Sequence, residues 1–436
     1  MPELWDDLIR TLSLRDYNTR VVVLGVSMLG LAAGLVGTFM VLRKRALLSD
    51  AVSHATLPGI AGAFLLMVVF GGTGRSLPGL LIGAAVFGVL GMLSVQAIRR
   101  YTRLKDDVAL GLVLSVYFGI GVAMLGLVQE MSEAHAAGIS RFIYGKAATM
   151  VGSDALTMLI MAGVVAVTCA MLFKEFGLVC FDEQYAKAQG WPVGLIDVLM
   201  MSLIVAVTVI GLQAVGLILV VAMLIIPPAA ARFWTDHLLR MTLTAGAIGM
   251  VSGYLGATLS GLVPRLPTGP IIVLVATAVF VVSLLAGTRR GVVVRAMRHV
   301  RSKRRTGLQH LLRAAFEHVE SAGDEPFTAE ALLPQRSWSP RELTTLLKRG
   351  QRQGWLAPTH DDRWRLTDAG LRQARQVVRN HRLWELYLIE HADIAPSHVD
   401  RDADRIEHVI GEAMVEQLER TLQTRAGAAT VPASPH

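Results

Sequence analysis

From Arg20 to Ala286 the sequence is a succession of apolar runs, most of them long enough to cross a lipid bilayer, joined by short polar stretches. No other feature narrows the fold so far. Hydrocarbon offers backbone N–H and C=O groups no partner, so a spanning segment must close its hydrogen bonds internally, as a helix. A crossing takes about 20 apolar residues. Candidate spans fall at 20–42, 55–70, 77–97, 107–128, 154–173, 195–212, 213–231, 240–262 and 270–287. The second is short. The sixth and seventh share a stretch too tight for two full crossings, which predicts a broken or partly inserted helix. The expectation over 20–287 is a polytopic all-α membrane domain of about nine transmembrane helices. Residues 1–19, with Trp5, Asp6 and Asp7, lack the basic start of a cleaved signal peptide. They are expected to lie at the interface as an amphipathic segment, with the first span retained.

Beyond Thr288 charged residues recur every few positions. A chain with only 17% charged residues overall therefore divides into a lipid-embedded part and a soluble part. Between them, 288–307 holds eight basic residues (Arg289, Arg290, Arg295, Arg298, Arg301, Lys303, Arg304 and Arg305) and no acidic one. A basic run placed directly after a span reads as an anchor against anionic lipid, so the net charge of +8 does not by itself imply a nucleic-acid partner. Lys and Arg also set the orientation. An outside amino terminus puts Arg43, Lys44 and Arg45 on the cytoplasmic side, with Arg99, Arg100, Arg103, Lys105, Lys174, Lys187, Arg232 and Arg240. Only Arg75, Arg141, Lys146 and Arg265 then remain outside. The expected topology in the cell (inner) membrane is amino terminus out and carboxyl end in the cytoplasm. Two cysteines are too few for a disulfide framework, and Cys169, inside an apolar run, is expected to behave as a small hydrophobe.

Polar side chains at membrane depth are functional candidates. In LLSDAVSHATLPGI, Asp50 and His54 are four residues apart, so a helix places them on one face a turn from each other. A carboxylate and an imidazole so placed can hold a divalent transition metal, or form a buried polar pair that stabilises helix packing. Between two spans, FDEQYAKAQGW (Phe181–Trp191) is a short amphipathic stretch. Glu130, Glu133 and His135 sit in an outer loop, where they could receive an ion or simply be solvated. The chain carries no Walker A loop: the nearest look-alike, GISRFIYGKA at Gly138–Ala147, has the wrong spacing and lacks the hydroxyl residue.

The stretch SDAVSHATLPGIAGAFL resembles the signature of permeases of manganese, zinc and iron ABC importers. FDEQYAKAQGW, then AVGLILVVAMLIIPPAAAR (Ala214–Arg232) and LSGLVPRLPTGPIIVL (Leu259–Leu274), follow in the family's order. The resemblance covers roughly Arg20 to Gly287. It implies that Asp50 and His54 hold metal in transit. It implies too that Phe181, Asp182, Glu183, Ala186, Ala188 and Gly190 belong to a coupling helix docking on a separate ATP-binding subunit. The chain would then be no enzyme itself, would work as a homodimer, and would receive metal from an extracytoplasmic binding protein.

From Leu308 the sequence predicts a helix near Leu308–Ser321, a short element at Glu330–Leu333, and a helix opened by Ser339-Pro340. Two extended pieces around His360, Asp361 and Asp362 read as a hairpin wing. Helix, helix and wing suggest a winged helix over 308–365. A helical region follows over 366–422, and 423–436 is read as a tail. His381 and Glu385 share one helical face. Asp400, Asp404 and His408 form another row with Glu407 alongside. Together they could form an oxygen- and nitrogen-rich cage suited to Mn²⁺ or Fe²⁺, or merely a solvated charged face.

LTDAGLRQARQVVRNHRLWELYL followed by DADRIEHVI resembles the diphtheria-toxin-repressor family of manganese- and iron-dependent regulators. The resemblance implies that His381, Glu385, Asp404, Glu407 and His408 are metal ligands. Asp404 stands where manganese-type members carry an acid. Asp400 replaces a usual histidine, with His398 nearby. His310 and Arg313 occupy places where manganese-type members carry acids, so the site departs from the pattern there. Lys348, Arg349 and Arg352 would suit phosphate contacts, but residues 308–436 carry 16 Lys and Arg against 19 Asp and Glu, a net of −3. The preferred expectation is a cytoplasmic metal sensor acting on a metal permease, with cargo Mn²⁺, Fe²⁺ or Zn²⁺ and no organic cofactor. A membrane-tethered DNA-binding regulator and an autonomous secondary carrier are the alternatives.

Overall fold

The computed structural model describes residues 16–45, 47–72, 76–131, 150–262, 266–323, 325–336, 338–359 and 361–391. The chain divides into two compact units, 1–295 and 296–436.

The first unit is helical throughout its described residues. It comprises α1 (Tyr17–Leu42), α2 (Leu47–Val69), α3 (Leu77–Tyr101), α4 (Asp106–Gln129), α5 (Gly152–Met171), α6 (Phe173–Phe181) and α7 (Glu183–Ala188). α8 (Val193–Val215), α9 (Leu217–Ala231), α10 (Leu238–Leu262) and α11 (Thr268–Ala286) complete it. Among the described residues eight helices (α1–α5, α8, α10 and α11) are long and apolar enough to cross a membrane, and α9 is a shorter apolar helix. The stretch expected to be tight breaks at Gly216, whose φ of 85° and ψ of 168° lie in a region essentially reserved for glycine.

Without a strong hydrophobic drive between helices in lipid, association depends on close packing of small residues. α1 lies at the centre, against α5, α8, α9 and above all α10. Along that last seam Gly30 faces Gly249, and a Cβ on either would overlap the other's carbonyl. α2 packs between α3 and α4, and Gly59 and Gly83 meet in the same way across α2 and α3. Cys169 is buried in this core, as expected of a small hydrophobe.

The second unit begins within α12 (Val292–Ala322), which makes one helix of most of the basic segment and the expected Leu308–Ser321 element. Next come β1 (Phe327–Thr328), α13 (Ala329–Leu332), α14 (Pro340–Arg352), β2 (Leu356–Pro358), β3 (Arg363–Leu366) and α15 (Asp368–His391). The strands form an antiparallel sheet in the order β1-β3-β2, with Phe327 opposite Trp364 and Leu356 opposite Leu366. The β2–β3 hairpin is the expected wing, turning through Asp361 and Asp362, both at positive φ. α14 starts as its sequence predicts. Ser339 Oγ accepts from the Glu342 N–H, the Glu342 carboxylate accepts from the Ser339 N–H, and Pro340 fills the first turn. Leu311, Phe327, Leu332, Leu343, Leu347 and Leu356 form the core.

Candidate metal path and sensor site

α2 begins at Leu47, so Asp50 and His54 lie inside it. Its polar side chains do not break the helix because they bond back into it. Ser53 Oγ donates to the Ser49 carbonyl at 2.7 Å and Thr56 Oγ1 to the Ser53 carbonyl at 2.6 Å. One turn apart, His54 Nε2 stands 3.4 Å from Asp50 Oδ1, with side chains 21% and 35% exposed. The imidazole rests edge-on against Phe118, ring centroids 4.9 Å apart. His54 Nδ1 is buried and has no hydrogen-bond partner among the described residues. Pro58 follows four residues after His54, and a proline supplies no N–H to the carbonyl one turn earlier. The pair therefore offers one carboxylate and one imidazole and leaves the remaining positions around an ion open. That is too few donors for a closed structural site and suits a ligand held in passing.

Two joints meet near this helix. The α1–α2 corner is Arg43-Lys44-Arg45, with Lys44 in the left-handed region and exposed while both arginines turn inward. Arg43 Nη1 donates to the Val179 carbonyl at 2.8 Å and to Glu183 Oε2 at 2.9 Å, and Nη2 to Asp197 Oδ1 at 3.1 Å. Arg45 Nη1 donates to both Asp197 oxygens, at 2.8 and 2.9 Å. Glu183 also takes a bond from Lys187 at 2.7 Å. Hydrogen bonds from Lys187 and then Arg43 hold the Glu183 carboxylate below its ordinary range, against partial burial. Burial draws the Arg45 guanidinium below its usual value, with Asp197 opposing. Sequence reading used Arg43 and Arg45 only as cytoplasmic-side charges that set the orientation, and did not single out Asp197. Its partners lie about 150 positions away, a pairing that no local spacing signals.

The segment expected to couple to an ATPase forms α7, capped by Asp182, whose side chain accepts from the Tyr185 N–H at 2.8 Å. Ala186 is buried, Ala188 and Gly190 are exposed, and Gly190 has positive φ. Phe181, Tyr185 and Trp191 are exposed around this stub. Glu130 ends α4, while Glu133, His135 and the Gly138–Ala147 stretch lie outside the described residues.

In the second unit α15 carries His381 and Glu385 on one face, 3.0 Å apart (Nε2 to Oε1) and only 1% and 2% exposed. Beside them Arg382 pairs with Glu320 of α12. Bonding from Arg382 holds the Glu320 carboxylate below its ordinary range. Arg313 is largely buried and pairs with Glu317 at 2.6 Å. Asp400, Asp404, Glu407 and His408, with His398, lie outside the described residues. Among the described residues no group of three or more His, Cys, Asp or Glu side chains gathers to hold a metal. His381 and Glu385 fit as two donors of such a site.

The family model of the ABC 3 transport family matches residues 15–287, and that of the iron dependent repressor, metal binding and dimerisation domain matches 367–426. "Manganese transport system membrane protein MntC" of Bacillus subtilis is 37% identical over 392 residues, covering 90% of this chain and 88% of that protein. An alignment of 392 residues must run well past residue 287, so the likeness takes in the carboxyl-terminal part too. "Zinc transport system membrane protein TroC" of Treponema pallidum is 43% identical over 286 residues, 66% of this chain and 94% of that one. Among solved structures, PsaBC from Streptococcus pneumoniae in complex with Fab aligns with a TM-score of 0.55 at 28% identity, covering 66% of this chain and 97% of that chain. Such membrane subunits are not enzymes, ATP hydrolysis being the work of a separate subunit. The chain belongs to the ABC 3 transport family, with an iron-dependent-repressor-like domain at its carboxyl end.

Proposed function

We propose that this chain is the permease subunit of an ATP-driven importer of a divalent transition metal, with Mn²⁺, Fe²⁺ or Zn²⁺ as cargo. The observation that carries the reading is the Asp50–His54 pair, 3.4 Å apart on a helix inside a metal-permease fold, with a buried imidazole nitrogen left to bind. The names of the manganese and zinc relatives support it. In this reading the amino terminus is outside, the chain crosses nine times counting α9, and two copies enclose the path in the cell (inner) membrane. The exposed aromatics Phe181, Tyr185 and Trp191 around α7 offer a surface for the ATPase subunit, and a binding protein delivers the ion from the opposite side. The basic residues opening α12 lie against anionic lipid.

The carboxyl domain senses cytoplasmic metal through His381, Glu385, Asp400, Asp404, Glu407 and His408, and acts as a brake on transport. Titration of Mn²⁺, Fe²⁺ and Zn²⁺ into the purified full chain tests this, with a His381→Ala/His408→Ala variant alongside. One class of sites should vanish in the variant while uptake in liposomes persists. Binding that is identical in both refutes the sensor. Exposed Lys348 and Arg352 on α14 favour a second reading, in which the domain binds DNA. The net charge of −3 over 308–436 opposes it, and a mobility-shift assay at physiological salt decides.

A further inference from the structure

Asp197 is the fifth residue of α8 and, among the described residues, the one buried carboxylate of the first unit, its side chain 10% exposed. It is shared by two guanidiniums whose side chains are 9% and 5% exposed, both from the corner that opens α2. Buried ion pairs contribute little net stability, because desolvation offsets their attraction. A buried carboxylate with two arginines is therefore a poor device for holding helices together, when the glycine seams already do so. What it does provide is connection. Through Arg43 it reaches Glu183 at the start of α7 and the Val179 carbonyl of α6. Through Arg45 it fixes the corner from which α2 starts, where the Leu48 N–H bonds the Arg45 carbonyl at 2.9 Å. Arg45 also stands 3.9 Å from Asp106 at the start of α4, which binds Arg99 of α3 at 2.7 Å. The three helices carrying or flanking the Asp50–His54 pair thus share one charge network with α7. Asp50 and His54, on α2, lie five and nine residues beyond Arg45 in the chain.

We propose that Asp197, Arg43 and Arg45 form the junction that relays movement of α7 to the foot of α2, and so to the metal-holding pair. The inference rests on the importer reading, in which α7 is where an ATPase subunit docks. A shift of α7 carries Glu183, and Glu183 and Asp197 share one guanidinium. Displacing Glu183 therefore redistributes the bonds of Arg43 and changes how tightly Asp197 holds Arg45. Energetic coupling of this kind travels through contiguous networks with alternative arrangements. These are positioning residues, which touch neither the ion nor the nucleotide.

The test uses the full chain reconstituted in liposomes with its ATPase subunit and binding protein, reading Mn²⁺ uptake and ATP hydrolysis together. Two variants are compared with wild type. Asp197→Asn removes the shared charge. Arg43→Lys keeps the charge but replaces the fork with a single ammonium unable to bridge Glu183 and Asp197 with the same geometry. Both should assemble and hydrolyse ATP near the wild-type rate, while Mn²⁺ moved per ATP falls about tenfold, within the usual range of coupling between sites. A ratio unchanged in Arg43→Lys, or uptake and hydrolysis falling in step, overturns the proposal. If Asp197→Asn fails to fold, Arg43→Lys alone decides. A wild-type complex whose uptake ignores ATP overturns the importer reading and this inference with it. An ATP-dependent wild type with unaltered variants overturns the inference alone.

Discussion

Among the described residues a carboxylate and an imidazole stand four residues apart on a helix at Asp50–His54 and at His381–Glu385, and the two pairs sit in opposite surroundings. Asp50–His54 is loose at 3.4 Å, partly exposed, and has an imidazole nitrogen without a partner among the described residues. His381–Glu385 is close at 3.0 Å and almost wholly buried. Identical spacing thus yields an open pair and a closed one, and under the proposed function the open pair suits passage while the closed one needs further donors to hold an ion. Ligand spacing identifies candidates, but exposure and the number of open positions distinguish passage from retention.

The comparison can be broken most directly by moving the same truncation between the pairs. His54→Ala should cut Mn²⁺ uptake into liposomes by about a hundredfold or more, as expected when a ligand that acts in the moving state is removed. His381→Ala should leave basal uptake near wild type, and equal losses from both would erase the distinction. Next in size is the effect on folding. Leaving the Glu385 carboxylate buried without His381 should cost about 3 kcal/mol in the second unit, whereas His381→Leu/Glu385→Leu should be close to neutral. Thermal unfolding of the purified chain checks the order of the two variants, and only the single truncation should unfold early. Gly59→Ala sharpens the comparison from the other side, since its Cβ would overlap the Gly83 carbonyl. Pushing α2 off α3 should lower stability by about 2 kcal/mol and slow uptake, leaving metal binding at the second unit unchanged in calorimetry.

The smallest effect concerns the anchor beside His381. The folded-state pKa of Glu320 is depressed by Arg382, so the pair stabilises the second unit above the ordinary carboxylate range. That contribution is lost as pH falls through the depressed value. The difference in unfolding temperature between wild type and Glu320→Gln should therefore be slight at neutral pH and vanish in acid. It stays small because half of the Glu320 side chain is in water.

Much of this was legible from residues alone, for identifiable reasons. Apolar length predicted the spans, and Ser339-Pro340 predicted the start of α14. The second span was placed too late, at 55, because a hydropathy reading discards Ser49, Asp50, Ser53 and His54. Ser53 bonds back to the Ser49 carbonyl and Asp50 faces His54, so the helix runs through them. β1 is only two residues long and carries no pattern of its own. The Arg43–Asp197–Arg45 cluster was illegible because the charges that meet belong to distant segments, and basic loop residues are ordinarily solvated. Helical spacing did predict that His381 and Glu385 face one another, though not that the core would enclose them.

The Gly30–Gly249 seam has a practical consequence for watching this protein work. Where two backbones touch with no side chain between them, close packing binds the helices tightly, so α1 and α10 are expected to travel as one piece. They form a natural frame of reference. A spectroscopic label on an exposed position of α10, such as Leu243 or Val251, paired with one at the exposed start of α2, Leu47, would report the displacement of the helix that carries Asp50 and His54 against a fixed post. Two labels on α1 and α10 themselves should stay at one separation throughout the cycle, and so calibrate the ruler.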